Sequence, residues 1–288
     1  MDYTKHGIYS LKGLIKNPVL FIPDFIMYVI TYIATIFFYK SSNLDILLEQ
    51  FILGQAIKLD AIIDYLATNS FHFFVSGSIF ILLTFFLGVG IDILRFRLIK
   101  RFILKQKLNL IKEFFGKKPY YLKLVFLKVY VYVLTLFMLV ISTAIILMNN
   151  QIDNDIIGVL LKVVGLFFGI AIIFFIKSAI MYRHAILFLG EEKHAYKVLT
   201  RSLKLFLRNT WPVVTIWLII ISVGLGVWVL MSTIGLIANQ IQPFLSSVNM
   251  VYILSAVATL LVYLIKLSYN LWEHMFLFST YEPIKKSS

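Results

Sequence analysis

The stretch Lys177–Pro212 reads KSAIMYRHAILFLGEEKHAYKVLTRSLKLFLRNTWP. It begins as the end of an apolar helix and closes as the start of another. Between them, Lys193, Lys197, Arg201, Lys204 and Arg208 recur at steps of four, four, three and four, which puts five cations on one helical stripe. Ala195, Val198, Leu199, Ser202, Leu205 and Phe206 take the other side. The pattern predicts a basic amphipathic helix between two membrane spans. It would lie in the headgroup plane with Leu205 and Phe206 turned toward the bilayer.

The rest of the chain supports a membrane setting. Hydrophobic residues make up 60% of 288 and charged residues 14%, with a mean hydropathy of +0.91. Soluble domains carry about 45–50% apolar and about 25% charged residues. The net charge of +13 would suggest nucleic acid in a soluble protein. In a membrane protein it reads first as the positive-inside bias, and no nucleic-acid partner is expected. The absence of cysteine excludes disulfides, thiolate nucleophiles and Cys metal sites. No cleavable signal peptide is read, because the first apolar run starts only near Pro18 and is too long for one.

Six segments are long enough to span: Pro18–Tyr39, Phe71–Phe96, Tyr121–Met148, Ile156–Tyr182, Trp211–Leu236 and Val248–Phe276. Arg95–Lys128 carries eleven Lys and Arg against Glu113 alone, and Lys177–Arg208 carries seven against Glu191 and Glu192. Lys40–Ser70, by contrast, holds Asp45, Glu49, Asp60 and Asp64 against two lysines, and Asn149–Asp155 only Asp153 and Asp155. This alternation predicts a multi-pass protein of the cell membrane with both termini in the cytoplasm. Lys40–Ser70 is read as one or two helices on the outer face or capping the bundle.

An internal repeat is visible. SLKGLIKN (Ser10–Asn17) matches SLKLFLRN (Ser202–Asn209) at Ser, Leu, Lys and Asn, and proline follows both, at Pro18 and Pro212. LIKEFFGKKP (Leu110–Pro119) is a weaker third copy. The expected architecture is all-α, with six transmembrane helices as three hairpins, each preceded by a basic amphipathic surface helix. One integral membrane domain, 1–288, would hold pseudo-repeats of about 1–96, 97–182 and 183–280.

The run YRHAILFLGEEKHAYKVLTRSLKLFLRN with the span after it, roughly Tyr182–Gly226, resembles the six-helix membrane domain that precedes the hydrolase in some glycerophosphodiester phosphodiesterases. It also resembles stand-alone bacterial and archaeal membrane proteins of unknown role. The resemblance implies the six-helix fold. It implies no catalytic residues, because stretches outside the spans reach only about 30 residues and hold no hydrolase domain.

No metalloprotease, P-loop, nucleophile-elbow or dinucleotide motif is present. His184 and His194 flank the GEE turn, but their spacing is no metal motif, and they read as membrane-surface histidines, with His6, His72 and His274 interfacial. Asp24, Asp92, Lys128, Lys162, Lys177, Lys266 and Glu273 lie within or at the edges of spans. Such groups normally face a partner or water. Asp24, Asp92 and Lys266 are selected as the intramembrane polar site, with Asp24 or Asp92 pairing Lys266. Pro23 beside Asp24 reads as a kink. Gly165 and Gly169 form a GxxxG, read as intramolecular packing with dimerisation as the alternative.

The leading expectation is a non-enzymatic membrane protein whose cytoplasmic surface helices engage anionic lipid or a membrane-complex partner. Lys193, Lys197, Arg201, Lys204 and Arg208 would form the lipid-binding set. The alternative is a transporter or channel for a small or amphiphilic solute, working through Pro23–Asp24 and Lys266. An intramembrane lipid enzyme is disfavoured for want of a nucleophile–base or metal set. No cofactor and no metal is expected, and homo-oligomerisation stays open.

Overall fold

The computed structural model describes residues 2–44, 59–115, 120–150, 156–190, 192, 194–244 and 248–286. Among them there is no strand. The helices are α1 (Tyr3–Lys16), α2 (Ile22–Ser41), α3 (Leu59–Ile103), α4 (Leu110–Phe115), α5 (Tyr121–Asn150), α6 (Ile156–Ile180), α7 (Arg183–Leu189), α8 (Ala195–Arg208), α9 (Thr210–Ile241) and α10 (Val248–Lys286). A 3-10 turn, Pro18–Phe21, leads into α2.

Six segments are long and apolar enough to cross a bilayer: Pro18–Ser41, Ala67–Ile103, Tyr121–Ile141, Gly158–Leu189, Thr210–Ile241 and Met250–Lys286. Only 6% to 22% of each span's most apolar window is buried inside the protein. Side chains such as Phe137, Phe167, Leu218 and Trp228 stand exposed in mid-helix. Water would not tolerate apolar surface on this scale, whereas lipid tails solvate it. The chain is a multi-pass membrane protein.

The chain divides into two compact units. The first, Ile22–Arg95, consists of α2 and α3 up to Arg95. Here Asp24 meets Arg95, the Phe38 ring lies 5.8 Å from Phe73 and 5.5 Å from Phe80, and the Tyr65 hydroxyl donates to the Ser42 carbonyl. These pairs run in opposite order along the two helices, so α2 and α3 are antiparallel. Asn43, at φ 57°, turns the chain out of α2 in a conformation that asparagine adopts readily.

Two expectations change in this unit. Pro23 is the second residue of α2. Its missing N–H falls in the first turn, where no intrahelical acceptor exists, so it starts the helix rather than kinking it. Residues 59–70, read as part of a surface helix, instead continue into the span as one helix of 45 residues. That is about 67 Å at 1.5 Å per residue, twice the ~30 Å hydrocarbon core. Asp45 and Glu49 lie outside the described residues.

The second unit joins Met1–Phe21 to Phe96–Ser288. In it α5 packs on α6, α9 on α10, α1 on α10, and α8 on α5, α6 and α7. Its core is aromatic at the ends of the spans. The Phe96 ring lies 5.4 Å from Phe188 and stacks on Phe278 at 5.9 Å. Fully buried Tyr182 and Thr280 share a hydroxyl hydrogen bond of 2.9 Å, and the Trp272 indole donates to the Gly7 carbonyl at 3.2 Å. Buried hydroxyl and indole groups of this kind are satisfied by such specific partners. A Cβ on Gly224 would stand 2.7 Å from the Tyr269 hydroxyl, which donates to the Ile220 carbonyl, so glycine lets α9 and α10 close at this point. A Cβ on Gly169 would meet nothing within 4 Å, so no tight intramolecular contact uses that half of the GxxxG.

Candidate functional site

The cation stripe sits on α8. Extended His194 precedes the helix, and Asn209 ends it. The Asn209 backbone N–H donates to the Leu205 and Phe206 carbonyls at 3.0 and 3.2 Å, and its side-chain amide donates to Leu205 at 3.3 Å. Ala195, Val198, Ser202, Leu205 and Phe206 are buried, while Leu199 is half-buried. What covers them is protein: the Phe206 ring meets Phe175 of α6 at 5.3 Å. Leu205 and Phe206 therefore do not face the bilayer as the sequence suggested. The side chains left outside are Leu203, Lys204, Leu207 and Arg208, with Tyr196 and Lys197 one to three turns earlier.

The five cations also separate. Lys197, Lys204 and Arg208 are exposed. Arg201 donates to the Glu192 carboxylate, so its charge is committed within the protein. Lys193, like Glu191, lies outside the described residues.

α1 repeats this arrangement position by position. Ser10, Gly13 and Leu14 are buried like Ser202, Leu205 and Phe206. Leu11, Lys12, Ile15 and Lys16 are exposed like Leu203, Lys204, Leu207 and Arg208. Asn17 ends α1 as Asn209 ends α8: its backbone N–H donates to Gly13 and Leu14 at 3.1 and 3.3 Å, and its amide to Gly13 at 2.9 Å. The asparagines answer the unpaired carbonyls of each last turn. The third copy departs from this. In α4 the buried position belongs to Glu113, held by Arg97 and Arg101, and residues 116–119 lie outside the described residues.

The intramembrane acids find a different cation from the one expected. Arg95 donates to Asp24 and, at 2.7 Å, to Asp92 one turn away on its own helix. Lys266, offered as their partner, is exposed on α10. In the sequence Arg95 falls at the start of the cation-rich segment after the second span, although Asp92 and Arg95 stand at i,i+3, the spacing of a helical ion pair.

A further cluster had no signal in the spacing. Lys177 of α6, Arg183 and His184 of α7, and Glu273 and His274 of α10 line one cavity of about 160 Å³. The His184 ring stacks on Phe96 at 4.3 Å and lies 5.8 Å from His274. His194 is apart from them, exposed at the start of α8. Among the described residues, no three of His, Asp and Glu converge as metal ligands. Compared with protein-family models, with curated proteins and with solved structures, the chain matches none.

Proposed function

We propose that this is a non-enzymatic membrane protein whose cytoplasmic surface helices, α1 and α8, engage anionic lipid. The observation that carries the reading is the duplicated exposed edge: Leu11–Lys12 and Ile15–Lys16 on α1, Leu203–Lys204 and Leu207–Arg208 on α8. Each edge pairs an apolar side chain with an adjacent cation. The helix is fixed by protein on its inner face, so the edge alone is available to the bilayer. Leucine and isoleucine there enter the acyl boundary, and the lysine or arginine beside them reaches the phosphates.

An apolar groove of about 650 Å³ between α1 and the α9–α10 pair adds to this. Ile8, Leu11, Val223, Leu261 and Leu264 line it, which gives a lipid chain a place beside the α1 edge. The Lys and Arg alternation orients both edges, and both termini, toward the cytoplasm. Each cation near an anionic leaflet contributes about 1 kcal/mol, screened by salt.

The test is the lipid that copurifies. Wild-type protein extracted from a mixed membrane is expected to carry phosphatidylglycerol in excess over phosphatidylethanolamine by mass spectrometry. Changing Lys197, Lys204 and Arg208 together to Gln should bring that ratio close to that of the membrane. An unchanged ratio would show that these cations serve orientation alone.

A further inference from the structure

The groove between α1 and the α9–α10 pair has a shape and a polarity that the cationic edges do not account for. One face of α1, from Tyr3 to Leu11, closes it on one side, and Val223 and Val227 of α9 and Leu261 and Leu264 of α10 form its walls. None of the described residues that line it is a Lys, Arg, His, Asp or Glu. Its polar groups, on Tyr3, Thr4, Ser268 and Trp272, gather where α10 meets α1, and the remainder is hydrocarbon. Ile8, Leu11, Val223, Leu261 and Leu264 stay exposed in it, so the groove opens to the bilayer.

Hydrogen bonds to backbone hold the walls in place. The Trp272 indole donates to the Gly7 carbonyl of α1 at 3.2 Å, and the Tyr269 hydroxyl to the Ile220 carbonyl of α9 at 2.9 Å. The Tyr269 and Trp272 rings stack at 6.1 Å, and Trp272 stacks on Phe276 at 5.2 Å. Through these two rings α10 ties both of its neighbours, so the groove is formed before anything enters it, as ligand sites usually are. Leu261 and Trp272 stand eleven positions apart on α10, about 16 Å at 1.5 Å per residue. Half of the ~30 Å hydrocarbon core is about 15 Å, so the groove runs the depth of one leaflet's chains. An apolar trough of that depth, polar at a single end, fits an acyl chain whose ester emerges beside the Tyr3 and Thr4 hydroxyls. A second transmembrane helix fits it poorly, because α1 stands in the path such a helix would follow to the surface.

We infer that this groove holds one acyl chain of a phospholipid as a resident ligand, selected by its chain and not by the charge of its headgroup. The inference rests on the reading that α1 lies at the bilayer surface, but not on the cations of α1 or α8.

The experiment uses the full chain, reconstituted with phosphatidylcholine that carries a diazirine in the middle of one acyl chain. Protein is extracted, washed in detergent and weighed by native mass spectrometry; a second sample is illuminated before extraction and its crosslinks are mapped. One phosphatidylcholine per chain is expected to survive the wash, and the crosslinks to fall on Val223, Val227, Leu261 or Leu264. A Cβ on Gly7 would lie 3.9 Å from Trp272, an ordinary contact, so Gly7→Ala should keep the lipid. Gly7→Leu and Val223→Phe send their added carbons into the groove, and each should lower the retained lipid by about tenfold. The crosslink map needs no variant, so it decides the matter even where a filling variant fails to fold. Lys197, Lys204 and Arg208 changed together to Gln should leave retention of this neutral lipid as it was. An unchanged phosphatidylglycerol ratio in that triple variant would overturn the surface-helix reading and leave the chain site standing. Loss of all lipid in the wash, crosslinks spread evenly over the six spans, or full retention in both filling variants overturns the inference.

Discussion

Changing Arg95 to methionine is expected to lower the stability of the protein by about 3–5 kcal/mol, the loss seen when one partner is taken from a buried ionic cluster. Arg95, Asp24 and Asp92 have side chains only 17%, 12% and 16% exposed, so water contributes little to solvating any of them. The single guanidinium serves both carboxylates through separate nitrogens. Without it two acids would remain close together in a span. Heating detergent-solubilised protein and following the monodisperse fraction measures the loss. Adding Asp24→Asn and Asp92→Asn to the Arg95 variant should recover much of it, because neutral amides no longer need the cation. Additive losses across the three substitutions would show that the cluster is not a unit.

The second large effect is expected at Gly13. It occupies the position that Leu205 holds in α8, yet a Cβ there would stand 2.3 Å from the Phe102 ring and 2.8 Å from Met275. Phe102 fills on the outside what leucine fills from within in the other copy. Gly13→Leu, which makes the repeat more regular in sequence, is therefore expected to destabilise by at least the ~1–3 kcal/mol typical of overpacking and to loosen α1 from α10. Limited proteolysis within Tyr3–Lys16 reads the loosening. Phe102→Ala in the same chain should restore part of the protection, and no restoration would refute the packing account.

These two sites show what was legible in the chain. The six spans, the cation stripe and the Ser10–Asn17 and Ser202–Asn209 copies stood in the sequence because helical periodicity and runs of apolar residues are local properties. The side of α8 that meets lipid did not. Leu205 and Phe206 are as apolar as Leu203 and Leu207, and the placement of the helices packed on α8, among them α5, α6 and α7, decides which pair is covered. The cation for Asp24 was missed for the same reason. Lys266 stands deeper in its span than Arg95 does, yet the cation that Asp24 meets is set by the antiparallel register of α2 and α3 and not by depth. The His184–His274 meeting joins residues 90 positions apart, and no spacing rule reaches across such a gap.

The chain contains no cysteine, so single cysteines can be placed along α8 without background. The most direct test of the surface-helix account is their accessibility in phosphatidylglycerol-containing membranes, read with an impermeant maleimide and, after labelling with a fluorophore, with lipid-borne nitroxide quenchers. Lys197→Cys and Lys204→Cys are expected to react with the maleimide from the cytoplasmic side alone. Leu203→Cys and Leu207→Cys should react slowly and be quenched by nitroxide near the acyl boundary, whereas Leu205→Cys should be shielded from both. Fast aqueous reaction at positions 203 and 207, or reaction at 197 and 204 from the external side, would contradict the account.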